Sequence, residues 1–345
     1  GHPADESIAG GRARFDPGRI WYGGHPLGVV LSPLGWVYCG VAVLRRLSYG
    51  AGLLRSHRVG VPVVVIGNLS VGGTGKTPLV LRLAELALER GWRPAILARG
   101  YGGRARSWPV SVCATDDPGQ VGDEPVMLAR RGVCPVVAGP DRVADARLAV
   151  TEHGANLLLC DDGLQHYRLA RDLEVAVIDA ARELGNRRCL PAGPLREPPG
   201  RLRSVDLVIR NGGGGGGHHF HLVPGEAVNL AAPAVRRPLA GFRGLRVTAV
   251  AGIGHPERFF RDLRRLGIEV EARPYPDHHV FTAVDVAGWP PGPVLMTEKD
   301  AVKCVTFAGA EAGADLWACP VRAEPDAAFV SELFARLPPV PTPKP

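Results

Sequence analysis

No C-x-x-C pair occurs among the seven cysteines of this chain, Cys39, Cys113, Cys134, Cys160, Cys189, Cys304 and Cys319. That leaves no spacing for a structural zinc site, and with several of them inside apolar, strand-like runs it argues for a reducing compartment and buried thiols. Acids are nearly missing from residues 11–60, where seven arginines (Arg12, Arg14, Arg19, Arg45, Arg46, Arg55 and Arg58) face one carboxylate, Asp16. Most of the formal net charge of +7 therefore sits in the first sixth of the chain. An unbroken hydrophobic span is missing too. The longest uncharged stretch, "PLGVVLSPLGWVYCGVAVL" (26–44), is interrupted by Gly28, Pro33, Gly35 and Gly40, and it lacks a small-residue cleavage site. An arginine-flanked apolar segment carrying Trp36 and Tyr38 reads as an interfacial helix on an anionic membrane, with a single span and a core helix as the other readings. The first ten residues, which open on Gly-His, carry no weight here.

What is present fits a globular α/β protein. The chain has 345 residues, 46% of them hydrophobic, with 45 glycines and 32 prolines, enough for two loop-rich domains. From Val61 onward short apolar runs alternate with helix-period segments, as in a mostly parallel sheet covered on both faces. The strands expected are 61–67, 94–98, 134–139, 156–161, 174–179 and 206–210. Between the first two, Leu79, Val80, Leu83, Leu86 and Ala87 recur at helical spacing, with Pro78 near the start and Gly91 as a stop. Six consecutive glycines after Asn211 predict a flexible linker and a nearby boundary. A second α/β unit starts at 246–253, continues through a helix at 256–267 and includes a strand at 293–297. The expected division is a basic, apolar membrane-associated segment (1–60), a larger α/β domain (61–211), a Gly-rich and β linker (212–245) and a smaller α/β domain (246–345).

"VIGNLSVGGTGKTPLV" (65–80) carries the chemistry. A phosphate loop needs glycines that turn successive N–H groups onto phosphates, a lysine for the β and γ oxygens and a hydroxyl for Mg²⁺. Gly72, Gly73, Thr74, Gly75, Lys76 and Thr77 supply these between an apolar strand and a helix N-terminus, which itself favours an anion. Ser70 stands where the G-x-x-x-x-G-K-[ST] pattern has its first glycine, and serine is small enough to take a turn conformation. A carboxylate at a neighbouring strand end should hold the metal, and "LLLCDDGLQH" (157–166) offers Asp161 and Asp162. The second lysine of partition-type ATPases is missing, since Val71 stands there. The N-K-x-D motif of guanine-specific GTPases is missing as well, its nearest match being "TEKD" (297–300).

The blocks "SVGGTGKTP", "RGYGGR" (99–104), "VGDEPVMLA" (121–129), "DDGLQH" (161–166), "LPAGPLREP" (190–198), "YPDHHVF" (275–281) and "TEKDAVK" (297–303) stand in an order that resembles the tetraacyldisaccharide 4′-kinase family of the lipid A pathway. The resemblance runs from about the apolar N-terminal stretch to about Lys303, and Ser70 matches that family's form of the loop. It implies a P-loop α/β/α domain, a second, smaller α/β/α domain joined by a small β linker, and a monotopic enzyme on the cytoplasmic face of the bacterial inner membrane. It implies ATP- and Mg²⁺-dependent transfer of the γ-phosphate to the 4′-hydroxyl of tetraacyldisaccharide 1-phosphate, giving lipid IVA. The partners implied are that lipid and a membrane surface, with no nucleic acid and no protein partner.

By the same resemblance Asp123 of the G-D-E-P block is the base and His278 of the P-D-H block its support. Arg196 and Glu197 match a pair near the nucleotide and metal, and Gln165 and His166 shape the same cleft. The metal set is then Thr77, Asp161, Asp162 and Glu197. Read without it, Asp123 is a helix cap, His278 a turn histidine, and Arg196 with Glu197 a surface ion pair. "HHFH" (218–221) lies outside the family motif and reads as an edge strand or solvated loop. A different class of function stays open on the residues alone: a nucleotide-driven switch or chaperone that turns over ATP without a lipid acceptor.

Overall fold

The computed structural model describes residues 17–213, 216–309 and 315–341, so Arg12, Arg14, Asp16 and two glycines of the tract lie outside the described residues. One sheet takes strands β1 (Val63–Gly67), β2 (Pro94–Ala98), β3 (Val110–Val112), β4 (Val136–Ala138), β5 (Leu157–Asp161), β6 (Leu173–Asp179), β7 (Leu207–Asn211) and β8 (His218–Pro224). A second takes β9 (Ala227–Asn229), β10 (Arg236–Arg237), β11 (Arg246–Ala251), β12 (Glu269–Pro274), β13 (Pro293–Thr297) and β14 (Asp315–Cys319). The chain then returns to the first sheet with β15 (Val321–Pro325) and the helix Ala327–Ala335. The strand orders are β15-β8-β7-β6-β1-β5-β2-β4-β3 and β10-β9-β14-β13-β11-β12. The strands that carry the site pair in parallel, with β1 between β6 and β5.

Continuous apolar runs are what a parallel sheet with two covered faces demands. Along β1, Val64 and Ile66 enter one core cluster while Val63 and Val65 enter another on the opposite face. The helix Lys76–Glu89 buries Leu79, Val80, Leu83 and Ala87 on one of these faces. The second sheet repeats the arrangement, with Val247, Ala249 and Ala251 on one side and Val250 on the other.

Three expectations are corrected. Residues 246–345 do not stay with the second sheet, because β15 pairs antiparallel with β8 and Phe329 is fully buried in a core cluster of the first. The histidine tract is an interior strand, flanked by β7 and β15, and His218 Nε2 lies 2.8 Å from the Glu332 carboxylate of the C-terminal helix. Not all thiols are buried, since Cys113 is exposed and Cys39 and Cys134 are half-buried.

The helix Ser32–Gly50 does not behave as a core helix. It docks through Gly35, where an added Cβ would come within 3.0 Å of the Cys189 carbonyl oxygen. Its large apolar residues face outward instead, Trp36 at 72% exposure and Leu44 at 66%. No helix among the described residues is long and apolar enough to cross a membrane.

Candidate active site

The register of β1 against β5 sets Ile66 beside Asp161, so the loop leaving β1 and the carboxylates ending β5 open on the same edge. The loop is braced from one side. Ser70 makes a bridge to Leu195, and Val71 N donates to the Pro194 carbonyl at 2.8 Å. Ser70 therefore sits in strand-like pairing and is absent from the positive-φ residues, which explains why no glycine is needed there. Gly75 has no such freedom. Its φ is +85°, and a Cβ would meet Asn211 Nδ2 at 2.6 Å. Lys76 starts the helix and donates to Asn68 Oδ1 at 2.9 Å, while Asn68 Nδ2 reaches the Gly72 carbonyl at 3.2 Å. Thr74 is buried, its carbonyl accepting from Asn211 at 3.0 Å.

The two aspartates are differentiated by their neighbours. Asp161 Oδ2 accepts from Thr77 Oγ1 at 2.8 Å, whereas its Oδ1 is buried with no hydrogen-bond partner. Burial pushes this carboxyl up to about 6, helped by the Glu124 charge. Asp162 takes Arg196 Nη1 at 2.9 and 2.8 Å and lies 3.5 Å from Lys76 Nζ. Burial opposes its ionisation, but those two cations outweigh it and hold the group well below the usual carboxylate range. Glu197 has both oxygens engaged, one by Gln165 Nε2 at 2.9 Å and the other by the Tyr167 hydroxyl at 2.5 Å. His166 is kept neutral, lowered to about 4 by burial and by the charges of Arg142 and Arg99.

Among the described residues no group of three or more His, Cys, Asp or Glu could hold a metal ion. The unpartnered Asp161 oxygen beside the Thr77 hydroxyl nonetheless fits a hard cation that draws its remaining ligands from phosphate oxygens and water. Asp162 and Glu197, also expected in the metal set, are occupied here by arginine, glutamine and tyrosine donors.

A second cluster forms where the helix Asp123–Arg131 begins. Gly122 precedes it at φ +97°, and a Cβ there would meet the Tyr101 carbonyl oxygen at 2.9 Å, so only glycine lets this turn lie on the R-G-Y-G-G-R loop. Asp123, only 6% exposed, faces His278 Nδ1 through Oδ2 at 3.0 Å. Its burial raises the carboxyl, but the hydrogen bond with His278 and the charges of Lys299, His278 and Lys303 prevail and lower it. The bond to Asp123 raises His278 in turn. His278 occupies the left-handed region at φ +59°, its ring 5.0 Å from that of Tyr101. Strain of this kind persists where surrounding contacts fix it and gathers at functional sites. The Glu124 charge raises Asp161, so the start of the helix Asp123–Arg131 lies within electrostatic reach of the carboxylates ending β5.

Lys76, Thr77, Asp161, Asp162, Gln165, Arg196 and Glu197 thus form one group and Asp123 with His278 another. Sequence reasoning gave no role to Asn68, Arg142, Tyr167 or Lys299. Arg142 is buried and donates to the carbonyl oxygens of Ala98, Gly139 and Asp161, tying the ends of β2, β4 and β5 together. Asp141 before it reads only as a helix cap, so nothing local marked Arg142. Tyr101 and Lys299 did stand inside recognisable blocks, which was the available signal.

A family model described as tetraacyldisaccharide-1-P 4′-kinase matches residues 27–338. The tetraacyldisaccharide 4′-kinase of Alkalilimnicola ehrlichii is 52% identical over 310 residues, covering 89% of this chain and 92% of that protein. The one from Nitrosococcus oceani is 46% identical, with coverages of 92% and 93%. A crystal structure of LpxK from Aquifex aeolicus in complex with ATP superposes with a TM-score of 0.74 at 28% identity, covering 90% of this chain and 99% of that one.

Proposed function

The chain belongs to the tetraacyldisaccharide-1-P 4′-kinase family, and we propose that it performs this phosphoryl transfer with Asp123 as base and with Lys76 and Arg196 on the transferred phosphate. It is a kinase of lipid A biosynthesis that uses ATP to phosphorylate the 4′-hydroxyl of tetraacyldisaccharide 1-phosphate. In this reading the amides of Gly72, Gly73 and Gly75 cradle the nucleotide phosphates. Mg²⁺, when bound, would neutralise phosphate charge, with Thr77 and Asp161 as its protein ligands.

Asp123 takes the proton of the 4′-hydroxyl as that oxygen bonds to the γ-phosphorus, the bond to the bridging oxygen breaks, and ADP leaves. A lowered carboxyl is a weak base, but it is fully ionised at neutral pH. A loose transition state also asks little proton transfer of it before the phosphorus has moved. Lys76 and Arg196, now paired with Asp162, would transfer to the phosphate and stabilise its charge. We further assign the outward apolar face of Ser32–Gly50, with Arg45 and Arg55 nearby, to an anionic membrane surface at the cytoplasmic side of the inner membrane.

The observation that carries the assignment is the pair itself: two groups 155 residues apart closing to 3.0 Å in a chain that also carries a phosphate loop. The test is transfer of γ-³²P from ATP to tetraacyldisaccharide 1-phosphate in detergent micelles. Label should enter the lipid with the native chain and fall sharply with Asp123→Ala. ATP turnover with no labelled lipid would return the chain to the nucleotide-switch reading.

A further inference from the structure

The Asp123–His278 pair has a third member that comes from the second sheet. The helix Glu298–Cys304 follows β13 and delivers Lys299 so that its ammonium stands 3.3 Å from His278 Nε2, 3.2 Å from Asp277 Oδ1 and 3.3 Å from Glu124 Oε1. An ammonium donates and never accepts, and a neutral imidazole has one nitrogen of each kind. In the neutral ring Nε2 therefore accepts from Lys299, which leaves the ring proton on Nδ1, where it donates to Asp123 Oδ2 at 3.0 Å. We propose that Lys299 is a positioning residue for the phosphoryl transfer, fixing the Nδ1–H form of His278 and keeping that ring from taking a second proton, so that Asp123 stays available as a base.

The groups facing His278 define the balance. Asp123 comes from the helix Asp123–Arg131, whose Glu124 meets Lys299; Tyr101 comes from the loop after β2, and Asp277 from its own turn. Lys299 and, near Asp123, Lys303 supply positive charge from the helix Glu298–Cys304. The two carboxylates Asp123 and Asp277 favour a doubly protonated imidazolium, which binds Asp123 harder and weakens it as a base. The Lys299 charge opposes this, since like charges at such a distance cost energy in a partly buried site. Lys299 is held there by its own carboxylates, which keep it charged despite burial. The residue thus converts the approach of the second sheet into a protonation state on the first.

The inference rests on the reading of Asp123 as the base, and the two fail separately. Lys299→Met should lower kcat on the order of tenfold with KM for ATP within about twofold, and should move the acidic limb of the kcat profile about one pH unit upward. Lys299→Arg, which keeps the charge and the donors, should hold that limb at the native position. A limb unmoved in Lys299→Met, or an equal loss in both variants at every pH, overturns the proposal in favour of a merely structural role. The tautomer is read directly by a long-range ¹H–¹⁵N spectrum of ¹⁵N-histidine protein, with His278→Gln to assign the signal. An Nδ1–H pattern that is lost in Lys299→Met supports the proposal, and an Nε2–H pattern in the native chain overturns it. If Asp123→Asn keeps its turnover, the base reading falls, while the spectrum still decides what Lys299 does to His278.

Discussion

The phosphate loop and the Asp123–His278–Lys299 cluster are built on opposite plans. The first lies on one sheet and is mostly backbone: a strand, a glycine turn and a helix within sixteen consecutive residues, completed by the end of the adjacent strand β5. The second is mostly side chain, and its members arrive from a helix of the first sheet and from a turn and a helix of the second. Binding ATP is left to a preformed local unit, while the groups proposed to handle the proton come together only when the two sheets do. A chain built this way should lose the two capacities independently.

The largest expected effect tests the first plan. Lys76→Ala should cut lipid phosphorylation by on the order of 10² or more, read by label transfer at saturating ATP, because in the proposed mechanism the transferred phosphate loses the Lys76 charge. Unchanged turnover would remove the loop from the chemistry. A smaller loss is expected from Gly122→Ala, which forces a Cβ into φ +97° and to 2.9 Å from the Tyr101 carbonyl. Strain of about 1–3 kcal/mol should displace Asp123 and lower kcat by roughly tenfold, with ATP affinity, read by calorimetry, nearly native. Loss of ATP binding in this variant would break the proposed independence.

The pH dependence of the pair sharpens the comparison further. Asp123 is lowered from 3.8, so its contribution to stability is present above that value and fades as pH falls through its folded pKa. His278 is raised from 6.5, so its contribution is complete below that value and fades as pH rises through its folded pKa. The difference in melting temperature between the native chain and His278→Gln should be widest between 3.8 and 6.5 and shrink above. A difference that grows with pH would show that the histidine is not raised by Asp123. The smallest effect on catalysis itself should come from the helix Ser32–Gly50, proposed to meet the membrane. Trp36→Ser and Leu44→Ser should weaken sedimentation with anionic vesicles while leaving the melting temperature within a degree or two, since both side chains are already in water. Equal vesicle binding would argue against that face as the contact.

The same contrast explains what could be read from the sequence. Parallel strands buried on both faces leave continuous apolar runs, and a phosphate loop has to spell its glycines out in order, so β1, the helix after it and Asp161 were legible from local pattern. For 218–221 an edge strand was one of two readings, and the interior place of β8 was not legible, because its second neighbour β15 and its contacts with Glu332 and Asp326 come from far along the chain. The Asp123–His278 pair was legible only through resemblance, since no local rule links residues 155 apart. Lys299 was visible as part of a block, but its role depends on a 3.3 Å contact to an imidazole nitrogen that only the folded chain creates. Arg142 had no signal of its tertiary role, for besides Asp145 in its own helix its partners are three main-chain oxygens.

The return of β15 to the first sheet has a consequence for synthesis on the ribosome. Until Val321–Pro325 has emerged, β8 lacks its antiparallel neighbour, and until the helix Ala327–Ala335 follows, the space filled by Phe329 and Leu333 stays open. The ATP-binding sheet is begun early in translation and sealed only after the second sheet has been made. A nascent chain stalled between them should present an open edge to chaperones, and premature stop codons even near residue 320 should yield degraded protein in place of a shortened kinase.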